Sequence, residues 1–347
     1  MSNATKQILV GGVPVGGGAP VTVQSMTNTR TDDTISTLAQ IRALAAAGCE
    51  IVRCAVPDMA AARALAEIKA ASPLPVVADI HFDYRLALAA VEAGADKIRI
   101  NPGNIGSEEN VRAVAEACAA RGVPIRVGVN SGSIDKDLLA QYGRCPRALV
   151  ESALRQVRLL ERMHFTDICI SIKSSDVRET VDAYRLLATQ TDYPLHVGVT
   201  EAGTEYNGLV RSAAGVGALL LDGIGDTIRV SLTADPVSEV RAGIAILKAV
   251  GLRREGVRVV SCPTCGRTRI DLIPLAKQVE DALCDEKRDI TVAVMGCAVN
   301  GPGEAREADY GVAGGDGEGV LFKKGEIVGK VPGDRLLEAL LELIRND

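Results

Sequence analysis

The 347-residue chain carries 39 Lys and Arg against 44 Asp and Glu, a formal net charge of −5, with 6 Tyr, 3 Phe and no Trp. That balance excludes a polybasic nucleic-acid binder, which needs a cationic excess and usually stacking aromatics, while a 47% hydrophobic fraction excludes a disordered chain. No apolar run reaches the ~18 residues of a membrane span. The start, Met-Ser-Asn-Ala-Thr-Lys, has no apolar signal core. The expected setting is the cytosol, where the nine cysteines are not disulfides and some can be metal ligands.

The length suggests about two domains. In chain order, Ile8–Val10 and Val13–Val15 flank Gly11-Gly12 and read as a small hairpin, a plug for a barrel floor. β-Branched runs then recur at Val21–Gln24, Ile51–Ala55, Val76–Ile80, Lys97–Asn101, Ile125–Asn130, Asp167–Lys173, Leu195–Thr200 and Thr227–Leu232. Between them lie Ala/Leu-rich amphipathic stretches such as Thr34–Ala47, Met59–Ala70, Tyr84–Ala93 and Glu108–Ala120. Gly48, Gly94 and Gly122 stop three of these, since glycine tolerates the left-handed conformation that ends a helix. Alternation at roughly 22–40-residue spacing means repeated βαβ units and a parallel sheet. Eight such units in about 250 residues fit a TIM (β/α)8 barrel, with a doubly wound open sheet as the alternative.

Pro236–Val250 reads as the eighth helix, which makes residues 1–250 one domain. After the linker Gly251–Gly256 the pattern changes. Val257–Ser261 and Ile290–Met295 are strands, Leu272–Cys284 a helix, and Tyr310–Ala313, Val320–Lys323 and Glu326–Lys330 short antiparallel strands. Asp334–Ile344 closes the chain with Leu336, Leu337, Leu340, Leu341 and Ile344 on one face. Residues 251–347 are therefore expected to form a small α+β domain.

The barrel strands carry cations in phase. Side chains alternate between the faces of a strand. In Lys97-Ile-Arg-Ile-Asn101 the isoleucines take one face and Lys97, Arg99 and Asn101 the other. Ile125–Asn130 sets Val127 and Val129 against Arg126, Gly128 and Asn130; the eighth strand sets Ile228, Val230 and Leu232 against Arg229 and Ser231. The apolar face must pack on the helices, so the polar face points into the barrel near its C-terminal mouth. Arg53 and Lys173 end two further strands. One such arginine is most simply read as paired with a nearby acid. Five converging cations repel and lose hydration, so together they call for an anion. Arginine forks match phosphate oxygens, and a small phosphate or diphosphate ester is the expected ligand. Asn101, Asn130, Ser231 and Thr233 can add neutral donors, and Ser25 or Thr27 can reach the ligand from the first strand.

Asp79 and His81 share a face; His81 either binds phosphate and moves protons or is a hydrogen-bonded structural residue. Glu201 directly follows the seventh strand, where barrel catalysts sit. His164 and His196 read as structural. Cys262-Pro-Thr-Cys265 is a CxxC, and Cys297 lies 32 residues further on. Both segments directly follow expected strands, so adjacent strands would bring them together. A redox dithiol, a zinc site and an iron–sulfur site all fit this spacing. The loop Asn300-Gly-Pro-Gly-Glu304 can wrap a bulky group and delivers a carboxylate. Cys284 falls in a helix, and Cys49, Cys54, Cys118, Cys145 and Cys169 read as small apolar residues of the barrel. A phosphate-binding protein with a structural zinc and a barrel transferase remain alternatives on these residues alone.

Ser261-Cys-Pro-Thr-Cys-Gly-Arg267 and Met295-Gly-Cys-Ala-Val-Asn-Gly-Pro-Gly-Glu-Ala305 resemble the C-terminal signature of the IspG/GcpE family, the 4-hydroxy-3-methylbut-2-enyl diphosphate synthases. Val23-Gln-Ser-Met-Thr-Asn-Thr29, Lys97-Ile-Arg-Ile-Asn-Pro-Gly-Asn-Ile-Gly106 and Arg126-Val-Gly-Val-Asn-Ser-Gly132 are similar to its barrel motifs. The resemblance covers nearly the whole chain, in the short bacterial form. It implies a TIM barrel followed by an iron–sulfur domain related to sulfite reductase modules. It implies reductive ring opening of 2-C-methyl-D-erythritol 2,4-cyclodiphosphate to the linear enyl diphosphate and water, with electrons from flavodoxin or ferredoxin. It also implies one 4Fe–4S cluster per subunit on Cys262, Cys265, Cys297 and Glu304. Substrate would be bound by Arg53, His81, Arg99, Asn101, Arg126, Asn130, Lys173, Arg229 and Ser231, with Glu201 as acid–base residue.

A head-to-tail homodimer is expected as well. The eighth helix should end at the barrel floor, opposite the mouth. Fifteen helical residues rise about 22 Å, whereas the six-residue linker spans at most about 20 Å. Each cluster domain would then cover its partner's barrel mouth, in agreement with the resemblance.

Overall fold

The computed structural model describes residues 5–284, 286–297, 303 and 305–347. Its chain divides at Arg253: one unit is Met1–Arg253 and the other Arg254–Asp347. In the first unit the strands are β1 (Ile8–Val10), β2 (Val13–Val15), β3 (Thr22–Met26), β4 (Ile51–Val56), β5 (Val76–Ile80), β6 (Lys97–Ile100), β7 (Ile125–Asn130), β8 (Ile168–Lys173), β9 (His196–Val197) and β10 (Thr227–Ile228). The helices are α1 (Thr34–Ala46), α2 (Met59–Ala71), α3 (Tyr84–Glu92), α4 (Glu108–Arg121), α5 (Lys136–Tyr142), α6 (Pro146–Arg162), α7 (Val177–Ala188), α8 (Glu205–Leu221) and α9 (Pro236–Ala249). Local chemistry explains the helix starts. Asp33, Asp58, Asp83, Asp176 and Asp235 each accept a backbone N–H of the first turn, which otherwise lacks an intrahelical partner. At the other end of α4, Gly122 takes the left-handed conformation (φ 64°).

The eight strands β3 to β10 form one parallel sheet in which spatial order follows chain order, and β10 pairs with β3. The doubly wound alternative is thereby excluded. The seam between β8 and β9 is thin: a parallel bridge joins Ile170 to Leu195. Tyr184 of α7 reinforces it. Its hydroxyl accepts the Ile172 N–H (3.1 Å) and donates to the His196 carbonyl (2.5 Å), tying the two strands through a fully buried side chain.

The seventh and eighth ladders are shorter than the runs Leu195–Thr200 and Thr227–Leu232 suggest. Past Ile228 the Leu232 N–H turns to the Glu239 carboxylate (2.9 Å) instead of a neighbouring strand. Outward residues such as Ile98, Ile100, Val127, Val129, Ile170 and Ile172 pack with helical Leu65, Val114, Leu149 and Leu187 in one apolar core. Burying each such side chain contributes about 1.5–3 kcal/mol. The hairpin places Ile8, Val10 and Val15 against Ile51, Val77 and Cys169 at the strand starts, so it does plug the floor.

The second unit is a five-stranded sheet ordered β11 (Val257–Ser261), β12 (Ile290–Met295), β13 (Tyr310–Gly314), β14 (Glu318–Lys323), β15 (Glu326–Pro332). The first three run parallel and the last two pairings are antiparallel. Helices α10 (Leu272–Ala282) and α11 (Leu336–Arg345) bury Leu272, Val279, Leu336, Leu340 and Ile344 against Val292, Val294 and Val312. Helix α10 stops before Cys284, which lies in an exposed turn and not in the helix expected from sequence. Among the described residues no helix is long and apolar enough to cross a membrane.

Tyr184→Phe removes the hydroxyl that bridges the β8–β9 seam and leaves a buried N–H and C=O unpaired. A stability loss of about 1–3 kcal/mol is expected from urea denaturation. An unchanged midpoint would mean that the seam does not depend on it.

Candidate active site

The inward faces of the barrel strands carry the cations that their alternation requires. Arg53 (β4), Arg99 (β6), Arg126 (β7) and Lys173 (β8) are joined by Arg229, one residue beyond β10. All five guanidinium and ammonium side chains are buried or nearly so. Pairing with acids, the simplest reading of a single such cation, holds for three of them. Asp79 accepts from Arg99 Nη1 at 3.1 Å and lies 3.6 Å from both Arg53 Nε and His81 Nε2. Glu239 of α9, which sequence reasoning did not single out, accepts from Arg229 at 3.2 Å and from the Leu232 N–H at 2.9 Å. Among the described residues Arg126 and Lys173 have no carboxylate within ion-pair distance.

The charge imbalance shows in the protonation equilibria. Burial pushes the Asp79 carboxyl up, but Arg53, His81 and Arg99 more than offset it and hold it well below the usual carboxylate range. Burial, then the charges of Arg126, Arg53, Arg229 and Arg99, push Lys173 well down. Arg126 is pushed down to about 10, by burial first and Arg99 second. Two acids thus organise a set of cations without neutralising it, the charge pattern of an anion site.

Two glycines make room for these side chains. A Cβ on Gly128 would lie 2.5 Å from Arg99 Nε, and one on Gly198 would lie 2.4 Å from the Arg229 carbonyl oxygen as well as 3.0 Å from Lys173 Nζ. Sequence reasoning noted Gly128 only as an inward position; a glycine in phase with cations on neighbouring strands is the signal that could have been used.

The remaining sequence candidates spread around the mouth. His81 has a half-exposed side chain near Arg99. Asn101 is buried, and its Oδ1 accepts the Gly103 N–H in a tight turn. Asn130 ends β7, where its backbone N–H donates to Ser133 Oγ. Ser231 is partly buried beyond β10. Ser25 is buried toward Glu239, and the Thr27 hydroxyl faces the Arg53 carbonyl, so neither points freely into the barrel. Glu201 is exposed in the loop after β9 with φ +52°, a left-handed conformation unusual for a non-glycine residue. Phe82, next to His81, is similar at φ +63°.

The second unit holds the cysteine constellation. β11 and β12 are adjacent and parallel, with Ser261 level with Val294, so the loops bearing Cys262 and Cys297 leave the same sheet end. Cys262 Sγ accepts the Gly296 N–H at 3.2 Å, joining the two loops beside Cys297. The Cys265 thiol is exposed and held below its ordinary range by the Arg267 backbone N–H and side chain. Burial instead pushes Cys49 and Cys54 up to about 11 and Cys118 to about 12, the behaviour of inert core thiols. Glu304 lies outside the described residues. Cys262, Cys265 and Cys297 thus stand on two linked loops, one thiol biased toward thiolate, but among the described residues no group of three or more Cys, His, Asp or Glu side chains is close enough to hold a metal ion.

Taken together, these features define a parallel (β/α)8 barrel with a cationic mouth, joined to a cysteine-bearing α+β unit. Residues 5–244 match the GcpE TIM-barrel domain and residues 258–346 the GcpE protein C-terminal domain. The chain belongs to the GcpE family. It is 61% identical over 342 residues to a 4-hydroxy-3-methylbut-2-en-1-yl diphosphate synthase (flavodoxin) of Geobacter sulfurreducens, covering 98% of this chain and 97% of the relative. The protein of that name from Clostridium perfringens is 58% identical, with 98% of each chain covered. Among solved structures, a truncated 3-deoxy-D-arabino-heptulosonate 7-phosphate synthase of Thermotoga maritima aligns with a TM-score of 0.51 at 14% identity, covering 71% of this chain and 94% of that one. This last likeness speaks for the barrel fold alone.

Gly128→Ala is expected to push Arg99 off its present position and weaken calorimetric binding of inorganic diphosphate by about 10-fold, the worth of one charge-assisted hydrogen bond. Undiminished binding would separate Gly128 from the site.

Proposed function

We propose that this chain is a 4-hydroxy-3-methylbut-2-en-1-yl diphosphate synthase of isoprenoid biosynthesis, acting in the cytosol on 2-C-methyl-D-erythritol 2,4-cyclodiphosphate. The observation that carries the reading is the uncompensated pair Arg126 and Lys173 inside a barrel whose relatives bear that name. The reaction consumes two electrons. The bond between a ring carbon and a diphosphate oxygen breaks, a hydroxyl oxygen leaves as water, and the linear allylic diphosphate remains.

In this reading Arg126 and Lys173 bind the diphosphate directly. Arg53 and Arg99, held by Asp79, and Arg229, held by Glu239, present their remaining N–H groups to it. These donors keep the leaving diphosphate charged and fixed while its bond to carbon breaks. Asn101, Asn130, Ser231 and His81 hold the outer oxygens. Glu201, exposed at the mouth, protonates the departing hydroxyl at its oxygen and is reprotonated from solvent. Cys262, Cys265, Cys297 and Glu304 would hold a 4Fe–4S cluster, which supplies low-potential one-electron transfer when bound. Flavodoxin, or ferredoxin in its place, delivers the electrons.

The same reading makes the working unit a homodimer in which the second unit of one copy covers the barrel mouth of the other. Two features of the barrel unit support it. The chain leaves this unit at the floor, where Arg253 pairs with Glu50 (2.9 Å), the residue just before β4. Exposed Ile35, Met59, Phe82 and Tyr206 stand at the starts of helices or in a loop that follows a strand end, which places apolar surface around the mouth.

Anaerobically purified protein should be brown and should convert the cyclic diphosphate with reduced flavodoxin. A protein with intact iron and sulfide but no turnover would contradict the proposal. For the composite site, the inactive variants Arg99→Met and Cys297→Ser should regain part of the activity when mixed. If subunit exchange is demonstrated and no activity returns, each site lies within one subunit.

A further inference from the structure

The motif Val23-Gln-Ser-Met-Thr-Asn-Thr29 spans the end of the first barrel strand, yet Ser25 turns to Glu239 and Thr27 to the Arg53 carbonyl. The residue between them points inward. Side chains alternate along a strand, so Met26 shares the inner face of β3 with Thr22 and Gln24. It lies level with Arg53 of β4, and on its other side β3 pairs with β10, the strand that leads to Arg229.

The Met26 thioether meets both of these cations. Its Sδ accepts from Arg53 Nε at 3.1 Å and Nη2 at 2.9 Å, and from Arg229 Nη1 at 3.6 Å. The acids hold each arginine separately. Asp79 lies 3.6 Å from Arg53 Nε, and Glu239 accepts from Arg229 Nε at 3.3 Å and Nη2 at 3.2 Å. The sulfur is joined to both arginines, which repel each other. Burial pushes Arg53 well down, Asp79 offsets part of this, and the charge of Arg229 adds to it.

The choice of sulfur has a chemical reason. A carboxylate at this position would neutralise two cations of the mouth. An aliphatic side chain would leave buried N–H groups unpaired. A thioether carries no net charge and accepts only weakly. It therefore fixes the two guanidinium groups before a ligand arrives and yields their N–H groups to a stronger acceptor, such as a phosphate oxygen.

We propose that Met26 is a positioning residue of the mouth: its Sδ holds the forks of Arg53 and Arg229 side by side, so that both present N–H groups to one bound diphosphate. This inference rests on the anion-binding role of the two arginines in the proposed function. Met26 acts through them and not on the reacting atoms.

The test uses the full chain purified anaerobically and compares the wild type with Met26→Leu and Met26→Gln. Leucine keeps the volume and removes the acceptor, whereas glutamine is of similar length and offers a neutral carbonyl acceptor. Calorimetric binding of inorganic diphosphate should weaken about 5-fold or more in Met26→Leu, as loss of a hydrogen bond to a charged group implies. KM for the cyclic diphosphate should rise by a similar factor, with kcat less affected. Met26→Gln should recover most of both. A packing role gives the opposite order, with leucine tolerated and glutamine not. Full diphosphate affinity in Met26→Leu, or a Met26→Gln no better than Met26→Leu, overturns the proposal and leaves the anion site standing. Loss of folding in Met26→Leu makes the role structural and overturns it as well. Wild-type protein that binds diphosphate without turning over the cyclic substrate overturns the assigned reaction, and the affinity series still decides the role of Met26. Wild-type protein that binds no diphosphate overturns both.

Discussion

Repulsion among buried cations is the constraint around which the barrel is built. Arg53, Lys97, Arg99, Arg126, Lys173 and Arg229 share one interior with two acids, Asp79 and Glu239. Each acid positions particular cations. Asp79 holds Arg53 and Arg99 side by side, and Glu239 reaches back from α9 to fix Arg229. Neither meets Arg126 or Lys173. A barrel filled in the usual way would place branched aliphatic side chains in these layers. Here the interior sacrifices that packing for donors fixed before any ligand arrives, and pre-fixed donors stabilise developing negative charge most effectively.

The cost of such an interior is borne by the shell around it. The outward faces of the strands are almost continuously Ile and Val, and the helices bury Ala, Leu and Val against them. Aspartate caps start five helices at the mouth end, and the apolar hairpin closes the floor. The cysteine-bearing unit follows a different logic. Its sheet brings two loops to one end, where Cys265 is biased toward thiolate, while burial biases Cys49, Cys54 and Cys118 of the barrel against it. In the proposed function, family membership joins an anion grip and a thiolate site in one enzyme.

Much of this was legible in the sequence because strand alternation has a strict period. Lys97-Ile-Arg-Ile-Asn101 can bury its isoleucines only by turning Lys97 and Arg99 inward, and the same holds for Ile125–Asn130. What the sequence concealed depends on contacts between distant residues. Glu239 sits in a helix where an acid normally faces solvent, and nothing in its spacing reveals that it turns to Arg229. The role of Gly128 depends on where the Arg99 side chain of the neighbouring strand goes. Tyr184 replaces ladder hydrogen bonds at a seam whose thinness no propensity reveals. The pairing of Asp79 with two arginines is the simple possibility that the count of cations argues against, and it holds for some of them, while Arg126 and Lys173 remain in excess.

Anion binding to the unpaired cations has a direct thermodynamic signature. Burial and neighbouring positive charge lower the proton affinity of Lys173 in the free protein. A bound diphosphate supplies opposite charge and must raise it again. Calorimetric titration with the cyclic diphosphate at pH 7 to 9, repeated in buffers of different ionisation enthalpy, measures the protons exchanged on binding. Net proton uptake is expected, and it is lost in Lys173→Met. Tight binding without uptake, or with proton release, would contradict it.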